Sequence, residues 1–311
     1  MVQGGRLAPV LSIDRSLWPV DKVILAYFGF ASILILGWWS GIRDAAMLLG
    51  FHIAGAALLL FEIRKPNLTT LVFRHWYPLI YVAFCYKEMA LLIPAVRRTD
   101  ADQWLAQVDR AIWGADPTVW LERVLTPLAT EYLQIVYTLF VPVVLLIALL
   151  LWLQRRYAEF QYYAFLIAMG FLVSYIGYLI VPARGPRFLL KHLQHMPLQG
   201  LWLFNTLQQG LDQLESAHYD CFPSGHTELT ILAWWSARRL SNRLFWLYFA
   251  YTLSIIFATV YLRYHYTIDV LAGAAVAAVL LVVTPLVYRY LAEKGLKGWE
   301  ESRLLRQARR S

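Results

Sequence analysis

Two short stretches of the chain combine residue types that can carry out acid–base and nucleophilic chemistry. Residues 223–226 read Pro-Ser-Gly-His, and further along His265 is followed four residues later by Asp269. Residues four apart share one helix face, so Asp269 can hold one imidazole nitrogen while the other nitrogen faces a substrate. A histidine oriented by a carboxylate is a nucleophile arrangement, and we expect it to attack phosphorus.

The Pro-Ser-Gly-His tetrapeptide suits a bound anion. Ser224 can cap the apolar helix that begins near Thr227, and Gly225 lets the backbone approach an oxyanion closely. The N-terminus of a helix attracts phosphate, and His226 projects into that place. The simpler alternatives are a loop-to-helix turn with one interfacial histidine, and a structural pair of His265 and Asp269.

The composition indicates a helical membrane protein that must position these residues. The 311-residue chain is 59% hydrophobic and 15% charged, and its apolar runs are about 20 residues long. We therefore predict an all-α, polytopic helical membrane protein without bound cofactor. The predicted helices number about eight, at 23–41, 45–63, 76–96, 132–153, 160–181, 226–241, 244–262 and 267–288.

The basic residues predict which segments share a side of the membrane. If the N-terminus is cytoplasmic, each short basic loop falls inside, which places 97–131, 182–225 and 263–266, with both histidine motifs, outside. The inside residues are Arg6, Arg15, Lys22, Arg64, Lys65, Arg74, Arg155, Arg156, Arg238, Arg239, Arg243 and, in the tail, Arg289, Lys294, Lys297, Arg303, Arg306, Arg309 and Arg310.

The net charge of +8 therefore indicates anchoring near anionic lipid, not nucleic acid. The compact build suggests a bacterial inner membrane, with the motifs on the periplasmic face and both termini cytoplasmic. We expect one membrane domain over 1–311. Within it, 1–22 is the N-terminus, 23–131 holds N-terminal helices and an interfacial segment, 132–290 is the catalytic core, and 291–311 is a basic tail.

Segment 97–131 has the pattern of an amphipathic helix in the outer interface. Apolar residues recur at helical spacing with polar residues between them: Trp104, Leu105, Val108, Ile112 and Trp113 alternate with Asp102, Gln103, Asp109 and Arg110. Tryptophan is common at headgroup level. The segment is either a covering helix or a gate for lipid entry.

Together the two motifs resemble the type 2 phosphatidic acid phosphatase superfamily, whose second motif reads PSGH and whose third ends in HxxxD. Val260-Tyr261-Leu262 before the histidine, and the Val-Leu-Ala-Gly that follows Asp269, add to the likeness, which covers about 160–290. The resemblance implies a six-helix-type core that needs no metal. It also implies that His265 forms a phosphohistidine, Asp269 orients it, His226 protonates the leaving group, and Ser224 and Gly225 hold phosphate oxygens.

The chain departs from that family at its positive charges. The first motif corresponds to 182–188. Its leading lysine has no clear counterpart, because counting back from Gly185-Pro186 reaches Tyr178, so the resemblance leaves Arg184 and Arg187 to neutralise phosphate. The third motif begins with Ala258 and Thr259 instead of Ser-Arg, and Arg263 could replace the missing arginine if the helix end unwinds. This loss resembles the inositol phosphorylceramide synthase subgroup, whereas Gly225 matches the phosphatases.

We therefore expect a lipid phosphatase that hydrolyses a phosphate or pyrophosphate ester, with two alternatives. One is a transferase that moves a phosphorylated headgroup to an alcohol, and the other is a non-catalytic lipid transporter on the same fold. The sequence leaves the lipid and the oligomeric state open.

The remaining polar residues have simpler interpretations. Lys87 and Glu88 interrupt a helix and form a structural pair or line the cavity, and Asp220 is expected to be a solvated loop residue. Cys85 and Cys221 suggest neither a disulfide nor a metal site. The other histidines receive no role: His52, His75, His192, His195 and His218.

Overall fold

The computed structural model describes residues 16–64, 68–214 and 219–308, with side chains described outside 65–71 and 294–308. Arg6, Arg15, Lys65, His218, Arg309 and Arg310 lie outside the described residues or side chains, as do the side chains of Lys294, Lys297, Arg303 and Arg306. Helices make up 81% of the structure, and the described residues contain no strand. The predicted all-α fold is confirmed.

The described residues form thirteen α-helices. In chain order these are α1 Pro19–Gly37, α2 Ala45–Arg64, α3 Leu68–Val96, α4 Asp102–Trp113, α5 Pro117–Trp120, α6 Pro127–Thr138, α7 Phe140–Leu153, α8 Tyr157–Ile180, α9 Pro186–Leu189, α10 Phe204–Leu214, α11 Gly225–Ala237, α12 Asn242–Tyr261 and α13 Thr267–Ala308.

Six of the described helices are long and apolar enough to cross a membrane: α1, α2, α3, α8, α12 and α13. A seventh span is possible because α6 and α7 pass the same test together, although they are bent by 47°. The helix predicted at 132–153 is therefore divided into two parts, α6 and α7. Pro142 explains the bend, since it has no N–H for the carbonyl of Thr138 and its ring crowds that turn.

Three further predicted boundaries differ from the structure. The helix predicted at 226–241 is α11, which has 13 residues and ends at Ala237, so it is about 20 Å long. The last helix was expected to stop at 288, but α13 continues through most of the predicted tail. Arg74 was placed in a loop, yet it lies buried in α3 and pairs with Asp21 of α1 at 2.7 Å.

The adjacent charges of α3 do not pair with each other. Glu88 is buried, and its Oε1 lies 3.0 Å from Nε2 of His52 in α2, while Tyr27 of α1 donates to its Oε2 at 3.3 Å. Lys87 instead donates to the main-chain carbonyl of Leu214. Glu88 and His52 thus join α1, α2 and α3, which gives His52 a partner that its sequence position did not indicate.

The loops group at opposite ends of the helix bundle. The main-chain N–H of Ala101 donates to the carbonyl of Pro182 at 2.7 Å, and that of Arg187 donates to the carbonyl of Arg263 at 3.1 Å. Segments 97–131, 182–214, 219–224 and 263–266 therefore meet at one end, here called the motif end. At the far end, Nζ of Lys22 donates to the carbonyl of Leu291 at 2.7 Å and joins α1 to α13.

Glu131 of α6 holds the long connection at the motif end. Its carboxylate accepts four main-chain N–H groups, at distances of 2.6 to 3.2 Å, from Leu201, Trp202, Leu203 and Phe204. These donors lead into α10, so a single buried carboxylate fixes the start of that helix. The connection between α8 and α11 is thereby tied to the core.

Candidate active site

The turn between α12 and α13 presents His265. The N–H groups of Tyr264 and His265 both donate to the carbonyl of Thr259, at 2.9 and 3.0 Å, and Arg263 takes a left-handed conformation with φ of 66°. Such a residue with satisfied carbonyls ends a helix sharply. The helix end is unwound at Arg263 as the sequence interpretation required, and the turn brings His265 inward, where it is buried.

The Nδ1 atom of His265 lies 2.8 Å from the carbonyl oxygen of Cys221 and 3.5 Å from Oδ2 of Asp269. Because a carbonyl oxygen can only accept, Nδ1 carries the proton and Nε2 keeps a lone pair. Asp269 is beside the ring as predicted, but the nearest partner is a main-chain carbonyl. Sequence reasoning missed that contact because a main-chain group carries no signal in residue types.

Asp269 is fully buried at the start of α13. Its Oδ2 accepts from the thiol of Cys221 and from the N–H of Tyr266, both at 2.8 Å. Burial and the neighbouring Asp269 charge raise the pKa of the Cys221 thiol well above its ordinary value, so the sulfur stays protonated and donates. Cys221 therefore touches both members of the histidine–carboxylate pair.

These same three residues are a group that could hold a metal ion. The Sγ of Cys221, Nδ1 of His265 and Oδ2 of Asp269 all lie within 4.8 Å of one another. Sulfur, imidazole and carboxylate together suit a zinc-type ion. The sequence predicted no metal here because Cys221 lies 44 residues before His265. The hydrogen bonds among the three residues already account for the arrangement.

The second motif starts α11 beside this pair. Ser224 caps the helix as predicted, with Oγ accepting from the N–H of Thr227 at 3.4 Å, and its own N–H donates to the carbonyl of Asp269 at 3.0 Å. The ring of His226 is 5.8 Å from that of His265, centroid to centroid. The two histidines are thus close enough for one phosphate ester to contact both.

Aromatic rings hold His226 in place. Tyr137 stacks on the imidazole with centroids 4.3 Å apart, and Phe140 lies at the same distance. Both residues flank the break between α6 and α7, so the bend found there aims two rings at one histidine. The apolar run around 132–153 gave no sign of this role.

The predicted phosphate-binding arginines occupy different surroundings. Arg184 is exposed, with its guanidinium 4.5 Å from the ring of Phe188. Arg187 pairs with Asp212 at 3.0 Å and lies 4.8 Å from the ring of Tyr264. Tyr264 stacks on Tyr137, so Arg187 is separated from His226 by two stacked rings.

Arg263 is directed away from this group. Its guanidinium is buried and donates to Glu122 at 2.9 Å, to the carbonyl of Met196 at 2.6 Å and to Gln194 at 3.3 Å. These contacts join the segment after α5 to the connection after α9. Arg263 is therefore already engaged in holding two loops together.

Two aspartates of α4 contact the site through the backbone. Asp102 accepts from the N–H groups of Arg184 and Gly185, at 2.7 and 2.8 Å, and from the hydroxyl of Tyr266 at 2.9 Å. Burial raises the pKa of Asp102, and these three donors oppose the rise. Gly185 has φ of +97°, and a Cβ there would lie 2.6 Å from the carbonyl oxygen of Tyr264.

Asp109 caps the first turn of α13. It accepts from the N–H and the hydroxyl of Thr267, at 2.8 and 2.7 Å, and from the N–H of Ile268 at 2.9 Å. Both aspartates were predicted only as polar residues of an amphipathic interfacial helix. Their spacing of seven residues, with Leu105 between them on the same face, was a signal that they could point inward together.

Asp220 is not the solvated loop residue that we expected. Its Oδ2 accepts from the hydroxyl of Tyr86 in α3 at 2.6 Å, and the next residue donates its N–H to the carbonyl of Ala183 at 3.1 Å. Burial raises the pKa of Asp220, and the Tyr86 hydrogen bond opposes the rise. The N-terminal helices therefore reach the site through Tyr86.

Comparison with known protein families gives one match. The model described as the PAP2 superfamily matches residues 103–283, which is more than half of the chain. The matched range begins in α4, earlier than the 160–290 suggested by the motifs, and leaves α1, α2 and α3 outside. No curated protein and no solved structure gives a significant match.

Proposed function

Because the chain belongs to the PAP2 superfamily, we propose that it hydrolyses a phosphate or pyrophosphate ester of a lipid through a phosphohistidine on His265. Membership supports an integral membrane enzyme of the lipid phosphatase type. The observation that carries the mechanism is the hydrogen bond from Nδ1 of His265 to the carbonyl of Cys221. It leaves Nε2 as a nucleophile 5.8 Å, ring to ring, from the second histidine.

The first step transfers the phosphoryl group to the enzyme. Nε2 of His265 attacks phosphorus, a P–N bond forms, and the P–O bond to the lipid breaks. Burial lowers the pKa of His226, so we propose that it takes up its proton when the phosphate anion binds beside it and stabilises the imidazolium. It then gives that proton to the leaving oxygen. The phosphorylated imidazole then carries a positive charge, which the nearby carboxylate of Asp269 stabilises.

The second step returns the enzyme to its starting state. A water molecule gives one proton to the now neutral His226 and attacks phosphorus, so a P–O bond forms as the P–N bond breaks. The bonding electrons return to Nε2 of His265. Inorganic phosphate leaves, and both histidines have their original protons.

Positive groups at the motif end stabilise the negative charge on the phosphoryl oxygens. The first turn of α11, with Ser224 and Gly225, offers a helix N-terminus. Arg184 and Arg187 are the guanidinium groups of residues 182–188, here called the phosphate loop. Arg263 is instead held by Glu122 and joins two other segments. With guanidinium groups and a helix N-terminus present, this scheme does not require a metal.

A headgroup transferase is the second candidate, and separate observations bear on it. Thr259 at the expected arginine position favours it through the synthase-like resemblance. Against it, a Cβ at Gly225 would lie 2.7 Å from the hydroxyl of Tyr178, so the bulkier residue of the transferases does not fit here. We favour hydrolysis. A non-catalytic transporter is a weaker candidate, because His226, His265 and Asp269 lie together.

The predicted orientation belongs to the same proposal. The motif end faces the periplasm of a bacterial inner membrane and takes a lipid phosphate from the outer leaflet. The far end, where Lys22 and Leu291 meet, faces the cytoplasm. We also propose that 97–131 belongs with the catalytic core instead of with the N-terminal helices, and the family match, which begins at residue 103, supports this.

The test is phosphate release by the detergent-purified protein from a panel of lipid phosphates and pyrophosphates, in EDTA, with His265→Ala beside it. We expect release that falls by at least about 1,000-fold in the variant. Release that needs an added alcohol identifies the transferase. Activity retained by His265→Ala contradicts the mechanism, and inactivity of the wild type on every substrate, with or without alcohol, favours the transporter.

A further inference from the structure

The buried face of α4 is acidic. Asp102, Leu105, Ala106 and Asp109 point inward at helical spacing, and all four are at most 3% exposed. An amphipathic helix on a membrane protein usually turns apolar residues toward the core and charged residues toward water. The burial of two carboxylates at the ends of this face therefore requires an explanation.

Each carboxylate is satisfied by neutral donors of a different segment. Asp102 accepts three hydrogen bonds, two of them from the main chain of the phosphate loop at Arg184 and Gly185. Asp109 accepts three from the first turn of α13, through Thr267 and Ile268. Hydrogen bonds to a charged acceptor are stronger and more directional than neutral ones. One helix thus fixes the backbones of two segments that bear site residues.

The segments that α4 holds carry different parts of the proposed chemistry. The phosphate loop brings Arg184 and Arg187, while the first turn of α13 follows His265 and contains Asp269. The hydroxyl of Tyr266, directly after the nucleophile, also binds Asp102 at 2.9 Å. A shift of α4 would therefore change the distance between phosphate and nucleophile.

The opposite side of α4 exposes three large apolar residues beside polar ones. Trp104, Ile112 and Trp113 are 48 to 58% exposed. The indole N–H of Trp113 donates to the hydroxyl of Thr267 at 2.7 Å, and that hydroxyl donates to Asp109. Thr267 therefore connects the outer tryptophan, the inner carboxylate and the start of α13.

We propose that Asp102 and Asp109 are positioning residues, through which α4 holds the phosphate loop and the nucleophile-bearing turn in register. The inference rests on the proposed function. It assigns separate tasks to the aspartates: Asp102 sets the backbone that binds phosphate, and Asp109 sets the helix that aligns His265. The interfacial segment thus acts as a part of the catalytic apparatus.

The test compares Asp102→Asn and Asp109→Asn with Asp116→Asn, whose carboxylate pairs with Arg110 on the exposed side of the same helix. We expect Asp109→Asn to lower kcat about 10- to 100-fold at nearly constant KM, because a small misplacement of the nucleophile is costly. Asp102→Asn should raise KM and weaken inhibition by inorganic phosphate about tenfold. The control should match the wild type.

A merely structural role would instead lower the Tm of both variants and leave the kinetic constants of the folded protein unchanged, which overturns the proposal. If Asp109→Asn does not fold, Thr267→Val removes only the hydroxyl and should still lower kcat several-fold. Wild-type kinetics in that variant also overturns the proposal.

Failure of the proposed function has a different signature, namely a wild type that releases no phosphate. In that case the rise of Tm with added inorganic phosphate is the readout. We expect Asp102→Asn to reduce this rise and Asp116→Asn to keep it. An equal rise in both variants overturns the role of Asp102 independently of turnover.

Discussion

The N-terminal helices and the motif end both bury charged groups, but they satisfy them differently. In α1, α2 and α3 the ionisable side chains contact one another, as Asp21 does with Arg74 and Glu88 with His52. At the motif end, Asp102, Asp109 and Asp269 accept from main-chain, hydroxyl and thiol groups instead. Pairs of ionisable side chains join helices to one another, whereas carboxylates with neutral donors fix the backbones of loops.

This difference shows that burial of a charge does not by itself identify a site. By burial alone, His52 and His265 are alike, since both are 3% exposed and both lie near a carboxylate. Only His265 has a second histidine and a helix N-terminus beside it. If the comparison is correct, substitutions at the motif end change rates, and substitutions in the N-terminal helices change stability.

The largest effect on rate, apart from the nucleophile, is expected at His226. His226→Ala should lower kcat about 100- to 10,000-fold, because the leaving oxygen loses its proton donor. The loss in the first step should shrink with a nitrophenyl ester, whose leaving group needs no proton. A rapid-mixing measurement of the nitrophenolate burst tests this. An equal loss in the burst rate with lipid and nitrophenyl substrates would show that His226 has another role.

The N-terminal helices should respond through stability. Asp21→Asn leaves the buried guanidinium of Arg74 without its charge partner and should cost about 3 to 5 kcal/mol of unfolding free energy. Arg43→Gln is the matched control, because Arg43 and Asp44 form an exposed pair worth less than about 1 kcal/mol. Thermal unfolding in detergent measures both. A lower kcat in Asp21→Asn protein that is still folded would contradict the expectation that substitutions in the N-terminal helices change stability and not rate.

Parts of the site were predictable because their signal is local. The tetrapeptide at the start of α11 spans residues 223–226, and His265 stands only four residues before Asp269, so residue types alone indicate both motifs. The predicted shared helix face is not what joins the pair, since His265 lies in the turn before α13. The membrane helices follow from long apolar runs. The break after Thr138 could also have been predicted, since Pro142 stands inside the run.

The rest depends on contacts between distant segments. Asp102 is bound by the main chain 82 residues away, and Asp109 by residues 158 and 159 positions away, and a main-chain donor has no residue type to detect. Arg263 looked like a phosphate ligand because of its place near the third motif. Its actual partner, Glu122, comes from a segment that was considered only for its amphipathic pattern.

A smaller effect on rate is expected at Cys221, which is one of the neutral donors that distinguish the motif end from the N-terminal helices. Cys221→Ala removes the thiol that donates to Asp269 and should lower kcat about tenfold, the value of one hydrogen bond to a charged group. Cys221→Ser keeps a donor and should stay within about threefold of the wild type. Steady-state kinetics of the pair decides this. Equal losses in both variants would indicate that sulfur packing, not the hydrogen bond, matters.

The smallest effect is a dependence of stability on pH that comes from the same thiol. Burial raises the pKa of folded Cys221 above 9.0, so at alkaline pH the unfolded chain loses this proton while the folded protein keeps it. Stability should therefore be unaffected below pH 9 and fall above it, by about 1 kcal/mol per pH unit from this group. Serine does not titrate there, so the difference in unfolding free energy between wild type and Cys221→Ser isolates the thiol. If that difference stayed constant from pH 7 to pH 10, Cys221 would not be a buried, protonated donor. Asp269 would then no longer be an example of a motif-end carboxylate that is bound by neutral donors.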